Sequence, residues 1–332
     1  MLDLFAGIGG FSYALKSACT TIAYCEQNDD CKMLLSSLMS RGILDRAKVY
    51  DDVSKLQGTE VKKAVMITAG FPCQDLSSAN PKGTGLKGKR SGLVWEILRL
   101  VDELPKLQVL LLENSPNIVT RGMDKIITAL KTRGWKVSWM IVKGTDVGAP
   151  LQRRRWVALA IKNLDSKTSR ALQRLRVHNS WSKGETTSRF VSPESGSKLR
   201  CAQLGNAVVP ACVVYATKYL LHVLHICPHP RRPNVPSPSV QVITDGHTTL
   251  HLRTWASPTA QKRHYYPCSF ISHRSRTLLT NQLYYAISSY NEKMRETKEV
   301  NPEWIEWLMG YTNTYTECAS PITRRTITRR TR

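Results

Sequence analysis

The sequence predicts an α/β fold: a doubly wound, mostly parallel sheet followed by a smaller mixed carboxyl-terminal region. Three observations carry that prediction. Short apolar runs alternate with helical patterns as far as residue 162, the rhythm of parallel strands joined by crossover helices. A glycine-rich turn, Gly7-Ile8-Gly9-Gly10, follows the first apolar run directly and opens a helical pattern. Beyond residue 226 the composition turns first proline-rich and then basic, which marks a second region.

Leu2 to Ala6 reads as the first strand, Phe11 to Lys16 as the helix after the turn, and Thr21 to Cys25 as the second strand. Lys48 to Tyr50, Val65 to Ala69 and Val109 to Leu112 continue the series, with an amphipathic helix at Leu93 to Leu104 between the last two. Trp135 to Val142 and Arg155 to Ile161 are two late strands joined by a Gly/Asp turn. A first α/β domain is therefore expected over 1–162, and 163–200 is read as an irregular basic insertion. Residues 201–226 return to the domain through a helix, Ala207 to Leu224. Five prolines make 227–240 a linker, 241–322 is a region of mixed character, and the arginine-rich 323–332 is expected to be disordered.

Lys and Arg total 48 against 25 acidic residues, a formal net charge of +23. Such a chain suits a polyanionic partner, nucleic acid above all, although charge alone does not separate DNA, RNA and anionic membrane. No apolar run reaches the roughly 18–20 residues that span a bilayer; Val208 to His225 is interrupted by Pro210, Lys218 and two histidines. No secretory signal precedes the first strand. Nine cysteines without a Cys-x-x-Cys pair suggest reduced thiols in an intracellular setting. His222, His225, Cys227 and His229 lie close in sequence, yet one is on a helix, others flank prolines, and no second pair matches them. No metal is expected.

The chemistry points to Ala69-Gly70-Phe71-Pro72-Cys73-Gln74-Asp75-Leu76-Ser77. Proline fixes its own backbone angle and disfavours helix at the residue before it, so the chain turns at Phe71. Cys73 is then presented at a strand's carboxyl end, where open α/β sheets build their sites. Taken alone, a buried structural thiol is the simpler reading. Glu26 ends the second strand and Asp52 follows the third, positions where carboxylates can accept ribose hydroxyls and an adenine amino group. Each alone also suits an ordinary solvated loop.

Together, Asp3-Leu-Phe-Ala-Gly-Ile-Gly-Gly-Phe11, Gly70-Phe-Pro-Cys-Gln74, Glu113-Asn114, Arg153-x-Arg155 and Gly205-Asn206-Ala-Val-Val-Pro210 resemble the cytosine-5 DNA methyltransferase family over residues 1 to about 220. The resemblance implies a Rossmann-like methyltransferase sheet and S-adenosylmethionine as cofactor. It also implies methyl transfer to C5 of a cytosine flipped out of duplex DNA. Cys73 would add to C6, Glu113 would hold or protonate N3, and Arg153 and Arg155 would act as fixed cations beside the thiolate and the base. Phe5, Gly7, Gly9, Glu26, Asp52, Asn206 and Val208 would hold the cofactor, with Pro72 and Asn114 in support. Gln74 and Ser77 would meet the DNA, as would Lys87, Lys89 and Arg90 from Pro81 to Ser91, read as a mobile basic loop closing over it. Arg253, Lys262 and Arg263 would do so from 241–322, which becomes the target-recognition region.

The expected partner is duplex DNA, with the chain acting as a monomer, away from membranes, and with no restriction endonuclease partner assigned. The place of action is intracellular: cytoplasm or nucleoid for a bacterial or phage protein, nucleus or viral factory for one from a large eukaryotic virus. The same thiolate chemistry on tRNA and a catalytically inactive DNA-binding relic are the competing readings. A zinc deaminase is disfavoured, since no His-x-Glu with Pro-Cys-x-x-Cys is present.

Three departures from the family pattern stand out. The first strand begins almost at Met1, so the chain is expected to be shortened at its start. Leu151 stands where the family's Gln-x-Arg-x-Arg motif has glutamine. The gap between the Arg-x-Arg and Gly-Asn motifs is short, while Asn301-Pro-Glu-Trp304-Ile-Glu-Trp307-Leu-Met-Gly310-Tyr311 looks like the family's Leu-x-Gly-Phe-Pro motif displaced and without its proline. A rearranged family member of phage or large-virus type is expected. Trp304, Trp307 and Leu308, at i, i+3 and i+4, equally suit a core face.

Overall fold

A computed structural model describes residues 1–72, 93–149, 151–176, 181, 190–191, 196–226, 240–244, 249–253, 299–312 and 314–318. A seven-stranded sheet in the order β3-β2-β1-β4-β5-β7-β6 forms its centre. The strands are β1 (Leu2–Leu4), β2 (Ala23–Cys25), β3 (Lys48–Tyr50), β4 (Met66–Gly70), β5 (Val109–Asn114), β6 (Lys136–Lys143) and β7 (Arg154–Ile161). The first five run parallel, and β7 is antiparallel to both of its neighbours. This is the mostly parallel, Rossmann-like sheet expected from the sequence.

The sheet is doubly wound because alternate side chains of its central strands enter two cores. Val109 and Leu111 of β5, with Val157, Leu159 and Ile161 of β7, face one core. Leu110 and Leu112, with Trp156, Ala158 and Ala160, face the other. The first core is covered by α1 (Gly10–Leu15), α2 (Asp29–Ser40), α6 (Ser166–Gln173), α7 (Ser197–Asn206) and α8 (Pro210–Val223). The second is covered by α3 (Val94–Glu103) and α5 (Met123–Thr132), the short α4 (Ile118–Arg121) preceding α5.

Several sequence expectations shift. The first strand stops at Leu4 rather than Ala6, because Phe5 adopts a left-handed backbone with φ 53° that no strand accommodates. Helix α2 was not expected. Asn28 caps it, its side chain accepting the Cys31 amide at 2.9 Å, and Leu34, Leu35 and Leu38 are its buried face. Residues 163–200 are not irregular throughout: they contain α6, capped by Asp165, β8 (Phe190–Val191) and the first residues of α7. The apolar stretch 197–223 is long and apolar enough to cross a membrane, but its most apolar 18-residue window is 78% buried inside the fold and the stretch is divided between α7 and α8.

The carboxyl-terminal region divides. β9 (Val240–Thr244) and β10 (Thr249–Arg253) form an antiparallel hairpin. Residues 301–312 and 314–318, which lie within the expected region 241–322, bring Trp304, Ile305, Leu308, Met309, Tyr311 and Tyr315 into the first core. β11 (Glu299–Val300) pairs with β8, and α9 (Pro302–Met309) lies against α7. Trp304, Ile305, Leu308 and Met309 are buried there, so the i, i+3, i+4 pattern marks a core face. Asn301 caps α9 and Pro302 opens it. Gly310, with φ 80°, ends it against Trp181, whose indole donates to the Trp307 carbonyl at 2.8 Å.

Candidate active site

Five parallel strands end on one edge of the sheet, and antiparallel β7 begins there. The glycine turn, Gly70-Phe71-Pro72, Glu113-Asn114, Arg153-x-Arg155 and the Gly-Asn motif all have residues at this edge, whereas the Asn301–Tyr311 motif does not. Between the β1 end and the segment linking α7 to α8 lies a cleft of about 670 Å³. Phe5, Gly7, Glu26, Asp52, Asn206 and Val208 all line it.

The glycine turn is built by local hydrogen bonds. The Gly9 amide donates to the Ala6 carbonyl at 2.8 Å, and the Ala6 amide donates to Cys25 at the end of β2 at 3.0 Å. Glu26 is fixed from both sides: its Oε2 accepts the Gly7 amide at 2.7 Å and its Oε1 the Asn28 amide at 2.8 Å. Each oxygen keeps acceptor capacity toward the cleft. Asp52 Oδ1 accepts the Ser54 amide at 2.9 Å and the Ser54 hydroxyl at 2.7 Å. Those bonds, the hydroxyl's first, hold its carboxyl below the usual range. Gly9 does not line the cleft. Its φ is 76°, and a Cβ there would lie 2.4 Å from Leu44 Cδ1, so its contribution is to the shape of the turn.

At the neighbouring strand ends, Gly70 of β4 pairs with Glu113 of β5, and Asn114 pairs with Trp156 of β7. Glu113 lines the cleft and forms an ion pair with Arg155, Oε1 to Nε 2.7 Å. Burial raises its proton affinity, opposed first by the Arg155 charge and then by Arg153. Arg153 donates to the Ala207 carbonyl at 2.7 Å, which ties the start of β7 to the Gly-Asn segment. Its pKa is lowered to about 9, by burial and then by Arg155, and it remains a cation at neutral pH. Asn114 donates to the Phe71 carbonyl at 3.2 Å and so holds the backbone that leads into Pro72.

Cys73, Gln74, Ser77, Lys87, Lys89 and Arg90 lie outside the described residues, as do Lys262 and Arg263; Arg253 closes β10. Cys73 follows Pro72 directly, and Pro72 lines the cleft. Among the described residues, Cys25 and Cys31 line the cleft; burial pushes both up to about 12, and they are poor sources of thiolate. Leu151 is buried in the first core while Gln152 is exposed, so the glutamine position of the family pattern has become a packing position.

Sequence reasoning passed over Gln27 and Asn28, which line the cleft from the loop into α2, and Gln203 on α7. The Asn28-Asp29-Asp30 start is a helix amino-terminal signature that could have found the first group.

A family model described as C-5 cytosine-specific DNA methylase matches residues 1–194. The chain is 35% identical over 163 residues to the type II methyltransferase M.CviJI of Paramecium bursaria Chlorella virus IL3A, covering 48% of this chain and 42% of that protein. M2.BsuMI of Bacillus subtilis (strain 168) is 32% identical over 168 residues, 48% of this chain and 41% of the relative. M.Sau3AI of Staphylococcus aureus is 31% identical over 195 residues, 52% and 45%. The matched part of this chain thus spans less than half the length of each of these relatives.

Proposed function

The chain belongs to the C-5 cytosine-specific DNA methylase family, and from that premise we propose that it methylates C5 of cytosine in duplex DNA, with S-adenosylmethionine as methyl donor. One observation carries the reading. The cleft framed by Glu26 and Asp52 is continuous with the Pro72–Glu113 edge, so a bound cofactor and the cysteine loop would meet at one place.

The cleft fits the cofactor. Its volume, about 670 Å³, lies in the range of small-molecule sites. Its carboxylates match the ribose hydroxyls and adenine amino group, and Phe5 and Val208 supply apolar wall. In this reading Glu26 accepts from the ribose, Asp52 from the adenine, and Asn206 and Val208 border the amino-acid end, while Phe5, Gly7 and Gly9 shape the turn. When bound, the cofactor supplies an electrophilic methyl group at the cytosine ring.

The chain's own residues do the rest. A flipped cytosine enters beside Glu113. Cys73, as a thiolate, forms a bond to C6, and the displaced ring electrons make C5 nucleophilic. Glu113, whose proton affinity burial has raised, holds a proton at N3 and stabilises the charge that develops on the ring. Arg155 keeps Glu113 oriented, and Arg153 keeps the cofactor edge against β7. After methylation the C5 proton is lost, the Cys73–C6 bond breaks, and aromaticity returns. Gln74, Ser77, Lys87, Lys89 and Arg90, with Arg253, Lys262 and Arg263, contact the duplex.

Transfer of labelled methyl to duplex DNA and to tRNA, measured side by side, tests this. Transfer is expected to DNA, and Cys73→Ser should lower it by at least about 10³-fold while cofactor binding is kept. Transfer to tRNA alone would overturn the substrate. No transfer to either, with duplex binding retained, would leave a DNA-binding relic.

A further inference from the structure

Past Gly310 the chain lays two tyrosines against Tyr13 of α1, the helix that the glycine turn opens. Ring centroids lie 5.4 Å apart for Tyr13–Tyr311, 5.1 Å for Tyr13–Tyr315 and 4.5 Å for Tyr311–Tyr315. Each outer tyrosine spends its hydroxyl on a distant backbone carbonyl. Tyr311 donates to Val208 at 2.9 Å, and Tyr315 donates to Ile8 at 2.8 Å, both bonds buried. Ile8 and Val208 line the cleft, one in the glycine turn and the other just after α7, but neither tyrosine does.

The approach is close enough to require a glycine. A Cβ at Gly10 would lie 2.6 Å from the Tyr311 hydroxyl and 2.8 Å from Val208 Cγ2. The segment after α7 is also held at the preceding residue, where Ala207 accepts from Arg153 at 2.7 Å. The tyrosines are themselves anchored. Buried Glu306 of α9 accepts the Thr316 amide at 2.7 Å and Arg200 of α7 at 3.2 Å.

We propose that Tyr311 and Tyr315 are positioning residues of the cofactor cleft, each fixing the backbone of one of its loops from behind. The inference rests on reading the cleft as the S-adenosylmethionine site. It means that the carboxyl-terminal strap, 299–312 with 314–318, completes a site whose described lining residues all come from residues 1–210. A rigid pair of loops presents its carbonyls and amides without first having to be ordered, which strengthens binding.

The test compares Tyr311→Phe, Tyr315→Phe and Tyr24→Phe in the full chain. Tyr24 is the control. Its ring is likewise buried, and its hydroxyl donates to the Asp45 carbonyl at 3.0 Å in a partly buried bond, but it does not line the cleft or bond its loops. All three variants keep their rings and should lose similar amounts of thermal stability. S-adenosylmethionine titrated calorimetrically should bind about three- to ten-fold more weakly to Tyr311→Phe and to Tyr315→Phe, and unchanged to Tyr24→Phe. Amide exchange at Gly9-Gly10 and at Ala207–Val209 should accelerate in the first two variants only. Unchanged affinity and unchanged exchange in those variants would overturn the proposal. Failure of the unmodified chain to bind the cofactor would overturn the reading of the cleft, and the exchange rates would still decide whether the tyrosines hold the loops.

Discussion

Two buried glutamates in this molecule each face an arginine, and they are put to opposite use. Glu306, fully buried in α9, has three donors converging on its Oε1: the Thr316 amide at 2.7 Å, the Thr316 hydroxyl at 2.6 Å and Arg200 at 3.2 Å. It does not line the cleft described above and works as a joint between α9, α7 and the turn at Thr316. Glu113 borders the cleft, and Arg155 pairs with its Oε1 at 2.7 Å. Burial makes it hold its proton more tightly, although two arginines oppose this. A carboxylate held by three donors on one oxygen, away from the cleft, gives the fold a fixed point, although its Oε2 is buried without a hydrogen-bond partner among the described residues. One left facing a cavity with unspent acceptor capacity can exchange a proton with a ligand.

Glu113→Gln is the sharpest way to break that contrast. Methyl transfer should fall by about 10²–10⁴-fold, the range for loss of a general acid–base group. Stability should not fall with it. A carboxyl whose folded pKa is raised contributes stability that is complete below its unfolded pKa and is lost as pH rises through the folded value. Glutamine is neutral at every pH and keeps that contribution, so the melting temperature at pH 8 should be unchanged or higher. A variant that melts earlier yet turns over normally would make Glu113 a second structural joint.

Glu306→Ala should do the reverse. Removing one member of a buried ion pair typically costs about 3–5 kcal/mol, because Arg200 is left desolvated without its partner. Denaturant melts should show that loss. Methyl transfer by the folded fraction, at saturating cofactor, should be retained. A turnover defect that saturating cofactor does not relieve would mean that the strap acts on chemistry rather than on the cleft.

The same contrast explains what the sequence discloses. Glu26, Asp52, Glu113 and Asn114 are legible because each lies at or just past a short apolar run, and parallel strands deliver such residues to one edge. Cys73 stands out in the sequence because the proline before it predicts a turn, and it lies outside the described residues. The strap is hidden. The tyrosine bonds to Val208 and Ile8 span 103 and 307 residues, and hydrogen bonds to backbone carbonyls leave no mark on the partner's identity. The spacing of Trp304 and Leu308 marks a buried face but not which core receives it. Phe5 shows the same limit on a smaller scale. Its apolar side chain extends the strand pattern, while its positive φ ends the strand.

A third buried carboxylate separates burial from pairing. Asp3, fully buried in β1, accepts from neutral groups: the Ser12 hydroxyl at 2.7 Å, the Ser12 amide at 3.3 Å and the Thr68 hydroxyl at 2.7 Å. Burial raises its pKa from 3.8 to about 6 against those bonds. Its contribution to stability is therefore complete below about pH 4 and is lost as pH rises toward 6. Asp3→Asn keeps an acceptor for Ser12 and removes the charge. Relative to the unmodified chain it should gain about 1–3 kcal/mol at pH 8, at roughly 1.4 kcal/mol per pKa unit, and nothing at pH 4. Denaturant titrations at the two pH values measure that difference. An asparagine variant less stable at pH 8 would mean that the three donors favour the carboxylate more than burial opposes it. Asp3 would then join Glu306 as a joint rather than Glu113 as a group held ready to protonate.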